Sequence, residues 1–334
     1  MLMKRLNLPT GDSPNATKIQ QLINSVTEAI STGKLAPGNA LPSVNDMSRQ
    51  SGFSRDTVFK AYNILKKRSV IESTPTKGYF VASESFRVMM LLDDFSAFKE
   101  QLYRSFRENL PETYSVDLLF HHYNEGVFEQ LVQNSLGRYS MYVVMNLNNR
   151  KLHPSLSKID SNKLLVLDMG NGDRPETNFL LQNFDSALTN CLEEGWHLLQ
   201  KYEEFVLIYS PHRTPHPEEI QLAFRQFCAK HGIACRVDRE FDSSRLRERQ
   251  AYLVVCESDL VQVWKACRHR DFSPGRQIGV IAYNDTPMKE IVGNGITVIS
   301  TDFGEMGKKA AIFVKSKQKI REVLPTSLII RESL

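Results

Sequence analysis

No run of apolar residues in this chain approaches the roughly 18 that a membrane-spanning helix needs, and the opening stretch MLMKRLNLPTGDSPN has no apolar core of a secretory signal. A cytoplasmic protein with no membrane partner is therefore expected. Cysteine is scarce. The five present, Cys191, Cys228, Cys235, Cys256 and Cys267, are an odd number with no CxxC pair and no histidine at zinc-site spacing. Buried free thiols are expected. No GxSxG, HExxH or GxxxxGK phrase occurs, so the usual signals of serine, zinc-hydrolase and nucleotide chemistry are missing. His121 and His122 are adjacent in an expected strand and would face opposite ways. His212 and His216 stand among prolines, so neither pair has helical metal-binding geometry. No catalytic residue, cofactor or metal is expected.

What is present is ordinary globular composition, 41% hydrophobic and 24% charged, over 334 residues. That length exceeds what one core commonly fills, about 250 to 300 residues, and predicts one small and one large domain. The net charge of +4 is unevenly spread: residues 1–82 hold 11 Lys+Arg against 5 Asp+Glu, and the rest 31 against 33. A basic first segment before a slightly acidic remainder is the distribution of a chain whose first domain faces phosphates.

Ile19, Leu22, Ile23, Val26 and Ile30 fall at helical spacing from Thr17, with Gly33 at the expected stop. Pro37, Gly38 and Pro42 break the chain, and Ser43 can cap a second helix of about 43–51 with Asp46 near its positive end. Ser54 can cap a third over about 54–68, where Val58, Ala61, Tyr62 and Leu65 recur at i, i+3, i+4 and i+7. Two helices joined by the tight SGFS turn predict a helix-turn-helix. Arg55, Thr57 and Lys60 then lie where a recognition helix places base and phosphate contacts. The runs VIES and GYFVA around TPTKG predict a hairpin wing with Lys77 and Gly78 at its tip.

From Lys18 to Ala82 the chain resembles the GntR family of winged helix-turn-helix repressors. The resemblance rests on G-x-L-x-P-G-x-x-L-P-S, S-R-D-T-V at the recognition helix and the closing K-G-Y-F-V-A. It implies that Ser54, Arg55 and Thr57 contact double-stranded operator DNA and that Lys77 and Gly78 approach the minor groove. Ser43, Asn45 and Lys60 complete the expected DNA-facing set. Asn45 and Phe59 stand where the family often has arginine, so a different base preference is expected.

After Ser85, short apolar runs alternate with amphipathic ones. RVMMLLDD, YSVDLLFHHYN, MYVVMN and KLLVLDMG are expected as strands, with SAFKEQLYRSFRENL and VFEQLVQNSL as helices. EEFVLIYS, ACRVD, AYLVVCE and QIGVIAYND repeat that rhythm. Ligands of open parallel sheets bind beyond the carboxyl ends of strands, which here carry Asp93, Asp94, residues 121–124, Asp168, Cys256, Glu257, Asn284 and Asp285. Such groups, with Phe95 to stack on a ring, suit a polyhydroxylated ligand.

Over about 86–334 the chain resembles the periplasmic-binding-protein-like effector domain of the LacI family, through IGVIAYNDTP, GITVISTDFGEMGKKAA and LPTSLIIRES. The expected fold is thus α/β: a winged helix-turn-helix over 1–82, a linker over 83–86, and over 87–334 a two-lobed domain with doubly wound parallel sheets that binds effector and dimerises. The resemblance implies Asp168 as a sugar-hydroxyl acceptor and places Asn284 where the family usually has Asp. Asp94, Phe95, Asp168, Glu257 and Asn284 form the expected ligand set. The expected protein is a homodimeric repressor of a sugar-utilisation operon, released from operator DNA by a monosaccharide that closes the lobes. A nucleoside or amino acid is the alternative effector. An aminotransferase-like enzyme is excluded by the short second segment, and an exported sugar receptor by the DNA-reading head.

Overall fold

The computed structural model describes residues 16–68, 70–82, 86–147, 151–169, 176–184, 186–211 and 218–334. The expected linker lies outside the described residues at 83–85, as do His212 and His216. The chain divides into two compact units, one of residues 1–95, 107–179 and 310–321, the other of 96–106, 180–309 and 322–334.

The first unit begins with α1 (Lys18–Ser31), α2 (Val44–Ser51) and α3 (Arg55–Lys67), each opened by an N-cap hydroxyl, from Thr17, Ser43 and Ser54. Gly52 ends α2 at φ +71°, a left-handed turn that glycine enters without steric penalty. The three helices bury Leu22, Val26, Met47, Val58, Tyr62 and Leu65 together, which is why their apolar residues recur at helical spacing. Strands β1 (Ile71–Thr74) and β2 (Gly78–Val81) pair antiparallel with Thr74 opposite Gly78. The segment 38–41 lays a further edge on this hairpin. Leu41 N–H donates to Tyr79 O at 2.8 Å and Val81 N–H to Asn39 O at 2.9 Å. The Pro-Gly phrase is therefore part of the wing as well as a helix breaker.

Beyond the head, β3 (Arg87–Leu92), β4 (Ser115–Phe120), β5 (Met141–Met145), β6 (Leu164–Asp168), β7 (Asn178–Gln182) and β13 (Arg321–Leu324) form a sheet of order β13-β7-β6-β5-β3-β4. The four strands from β3 to β6 are parallel, and α5 (Glu125–Ser135) follows β4. The expected strand 114–124 is shorter than its sequence suggests. It ends at Phe120, and His122 and Tyr123 turn away at φ +49° and +55°. His121 and His122 thus sit on a turn, the first buried and the second exposed.

In the second unit β8 (Glu204–Ile208), β9 (Ala234–Asp238), β10 (Gln250–Val254), β11 (Ile278–Tyr283), β12 (Thr297–Thr301) and β14 (Thr326–Ile329) form a sheet of order β14-β12-β11-β10-β8-β9. All of its pairs are parallel except β12 with β14. Helices α8 (Glu219–His231) and α9 (Glu257–His269) pack on opposite faces, where Phe224 and Phe227 join one apolar cluster and Val263 and Cys267 another. Helix α4 (Ala97–Glu108) meets α11 (Phe303–Ser316) through Phe98 and Phe303, with ring centroids 4.5 Å apart. All five cysteines are free thiols, but Cys235 and Cys256 are only half-buried, the first on the edge strand β9 and the second just beyond the end of β10.

Candidate functional site

The head presents an exposed polar face at the start of α3. Ser54 Oγ accepts from Thr57 N–H at 3.1 Å and lies 2.7 Å from Thr57 Oγ1, so both hydroxyls first serve the cap. Arg55 is exposed, and among the described residues it forms no ion pair or side-chain hydrogen bond. Lys60 is tethered to Asp56 at 2.8 Å, an exposed pair of the kind that contributes little to stability. Phe59 is 49% exposed and offers an apolar surface beside them.

On α2, Ser43 Oγ donates to Asp46 and accepts its N–H, while Asn45 is exposed. The Ser43 hydroxyl, and then Arg49, hold the Asp46 carboxyl below its ordinary pKa. At the wing tip Lys77 N–H donates to Thr74 Oγ1 at 3.2 Å and Gly78 adopts φ +69°. All eight expected DNA-facing residues thus belong to the caps, the outer helix faces or the wing tip of one small head.

In the first sheet, register aligns the strand ends. Leu92 pairs with Phe120, Leu91 with Val144 and Val144 with Val166. Asp93, His121, Asn146 and Asp168 therefore emerge at one level, and all four are buried. Tyr123 leans into this layer, its hydroxyl donating to Asp93 Oδ2 at 2.5 Å and its N–H to His121 Nδ1 at 3.2 Å. Burial first, and then the charges of Asp93, Asp168 and Asp94, push the Tyr123 phenol well above its ordinary pKa. It stays a protonated donor.

His121 Nε2 lies 3.2 Å from Met145 O, which fixes the Nε2–H tautomer. Asp168 is held at φ +69°, an uncommon conformation for a non-glycine residue and one that clusters at ligand sites. Asp94 accepts from Phe95 N–H at 2.7 Å and lies 3.2 Å from His122 Nδ1, so its carboxylate organises the loop. Phe95 is 69% exposed, with its ring 6.1 Å from that of Phe120.

The second sheet repeats the device. Ile208 and Ala282 both pair with Val254, and Ala282 pairs with Val298, so Ser210, Cys256, Asn284 and Ser300 share one level. Asn284 is buried at φ +56°, and its Oδ1 has no hydrogen-bond partner among the described residues; nor has the buried hydroxyl of Thr286. A buried acceptor left without a donor forfeits about 1–3 kcal/mol. A ligand hydroxyl would supply it.

Lys289, also buried, donates to the carbonyls of Tyr283 at 2.9 Å and Asn284 at 2.7 Å and pairs with Glu257 at 2.9 Å. Glu257 therefore has a cationic partner. Asp285 is taken up by a two-pronged pair with Arg331, at 2.8 and 2.6 Å. Sequence reasoning missed Asn146, Ser210 and Thr286 as site residues, although each is at or near a strand end where an apolar run stops, and it had Tyr123 in the strand-end stretch 121–124 but not in the expected ligand set. Among the described residues one mixed group of Glu125, Glu129 and His153 has ligand-type atoms within 4.8 Å of one another, the imidazole buried and both carboxylates exposed.

A helix-turn-helix head with a wing, followed by two parallel α/β sheets with polar layers at their carboxyl ends, defines a DNA-binding transcription regulator with an effector domain. Residues 18–81 match the bacterial regulatory proteins of the gntR family, and residues 197–334 match the periplasmic binding protein-like domain. The chain belongs to the GntR family of bacterial regulatory proteins. It is 30% identical over 92 residues to the HTH-type transcriptional repressor YtrA of Bacillus subtilis, covering 27% of this chain and 70% of that protein. It is 38% identical over 71 residues to the HTH-type transcriptional regulator YdcR of Escherichia coli, covering 21% of this chain and only 15% of that protein.

Two solved repressors share the fold. The trehalose repressor from Escherichia coli matches with TM-score 0.60 and 12% identity, over 73% of this chain and 100% of that chain. The lac repressor dimer bound to operator and an anti-inducer matches with TM-score 0.60 and 17% identity, over 75% and 94%. No described helix is long and apolar enough to cross a membrane.

Proposed function

We propose that this regulator represses a sugar-utilisation operon, with a head over 1–82 that reads the operator through Arg55 and neighbouring residues and an effector domain over 87–334 that binds a monosaccharide. The observation that carries the sugar reading is the pair of in-register polar layers, Asp93, His121, Asn146 and Asp168 in one unit and Ser210, Cys256, Asn284 and Ser300 in the other. Carboxylate and amide acceptors fixed on rigid strand ends are what ring hydroxyls need. The name of the trehalose repressor agrees with a carbohydrate effector. A homodimer is proposed because one small head covers too little DNA for high specificity, and the lac repressor neighbour is a dimer.

A thermal-shift screen of monosaccharides, with nucleosides and amino acids as further arms, tests the effector class. A ligand at 100 times its Kd should stabilise by about 2.7 kcal/mol. The matching sugar should release the protein from operator in a gel shift, and Asp168→Ala should keep DNA binding while losing that release. Arg55→Ala should fold normally yet bind operator at least about tenfold more weakly, with the salt slope reduced by about 1 if Arg55 contacts a phosphate. If no sugar moved the melting curve and a nucleoside or amino acid did, the effector class would be wrong. If Arg55→Ala bound as wild type, the recognition face would be.

A further inference from the structure

Helix α1 of the head faces α5 and the turn after it inside the first unit, and a cavity of about 450 Å³ lies between them. Its wall is built from Gln20 and Asn24 of α1, Arg68 at the C-cap of α3, Gln133 and Asn134 of α5, and Arg138 beyond it. Among the described residues no carboxylate lines it. Neither arginine forms an ion pair among the described residues. Arg138 makes one long contact, from its guanidinium to Asn134 O at 3.3 Å, and its Nε is buried with no hydrogen-bond partner. The nearby Asp117 carboxylate feels the Arg138 charge but is already held by Arg87 at 2.8 Å and the Tyr139 hydroxyl at 2.6 Å.

We propose that this cavity binds a small phosphate ester of a polyhydroxylated compound, at a site separate from the strand-end layers. Two guanidinium groups without an acid partner, one with a desolvated N–H, are the donor set for an oxyanion, whose charge strengthens every such hydrogen bond. The volume falls within the range of small-ligand pockets, about 300–1,000 Å³, which leaves room for a carbon skeleton beside the phosphate. The side-chain amides of Gln20, Asn24, Gln133 and Asn134 can both donate to and accept from hydroxyls. The walls meet closely around the cavity. Ser31 O accepts from Asp160 N–H at 2.6 Å, and a Cβ on Gly137 would lie 3.1 Å from Thr27 O. An occupant therefore touches the DNA-binding head and the adjoining sheet domain at once.

The test is titration calorimetry on the full-length protein with glucose 6-phosphate, ribose 5-phosphate and glycerol 3-phosphate, with glucose and inorganic phosphate as separate arms. At least one ester should bind saturably, and more tightly than either glucose or inorganic phosphate. Arg138→Met, Arg68→Gln and the exposed Asn24→Asp, which places a negative charge in the wall, should each weaken it about tenfold or more. Asp168→Ala should not. Asn24→Asp alters no buried group, so it decides the matter if an arginine variant fails to fold. The proposal is overturned if no ester binds, if inorganic phosphate binds as tightly as the esters, or if Asp168→Ala abolishes binding that the cavity variants retain.

Discussion

The hydroxyl of Tyr123 donates to the carboxylate of Asp93 across 2.5 Å, joining the turn after β4 to the end of β3. Asp93 is fully buried, so its charge depends on protein donors in place of water. Tyr123→Phe removes one such donor and little volume. A loss of about 1–3 kcal/mol is expected, read as a lower midpoint in urea denaturation. An unchanged midpoint would mean that the other donors to Asp93 suffice.

Thr286 poses the opposite case, a buried hydroxyl with no partner among the described residues. Thr286→Val replaces it with a methyl group of similar size, so unliganded stability should hold or rise by up to about 1 kcal/mol. Effector affinity should fall, because the hydroxyl is then missing where a ligand would satisfy it. Melting curves with and without the matched sugar separate the two effects, and equal ligand-induced shifts in both proteins would remove Thr286 from the site.

In the head, the Tyr62 hydroxyl donates to Pro42 O at 3.0 Å while its ring meets Tyr79 edge-on, at 4.7 Å between centroids. One side chain thus ties α3 to the Pro-Gly phrase and the wing. Tyr62→Phe should cost about 1 kcal/mol, since it leaves a buried carbonyl without its donor. Thermal unfolding followed on the head's signals would register it, and a melt superimposable on the wild-type curve would contradict the assignment.

Asp117 gives a pH signature. The Tyr139 hydroxyl, and then Arg87, hold its carboxyl below the ordinary range. A depressed folded pKa means that stabilisation is present above the unfolded pKa of about 3.9 and is lost as pH falls through the folded value. Asp117→Asn should therefore be less stable than wild type at pH 7, by less than about 1 kcal/mol because the pair is partly exposed. The two should converge below about pH 4. A difference that stayed constant from pH 7 to pH 3 would refute the charge-based origin.

Gly307 on α11 approaches α4 so closely that a Cβ would lie 2.2 Å from Leu102 O. The carbonyl is main chain and cannot swing aside, so Gly307→Ala forces the helices apart. A destabilisation of about 3 kcal/mol is expected, at the upper end of overpacking costs. Chemical denaturation would detect it, and a stability within about 0.5 kcal/mol of wild type would show that the contact yields easily.

The sequence alone determined the head. Ser43 and Ser54 cap the helices they are expected to cap, Thr17 at the expected start of the first helix caps it too, and the apolar residues at helical spacing fill its core, because caps and periodicity are local properties. It likewise determined the parallel α/β character of the remainder and marked Asp93, Asp168 and Asn284 as strand-end groups. Register was not legible. That Asp93, His121, Asn146 and Asp168 stand at one level depends on how β3, β4, β5 and β6 slide against one another, which is set by pairing between strands far apart in the chain. The turn at His122 and Tyr123 was also hidden, because an aromatic pair after an apolar run reads as continued strand while the backbone in fact enters the left-handed region. Only tertiary structure decided which strand-end groups are occupied. Arg331 pairs with Asp285 and Lys289 with Glu257, whereas Asn284 between them keeps an acceptor that no described group satisfies, and those partners come from elements that sequence proximity does not reveal.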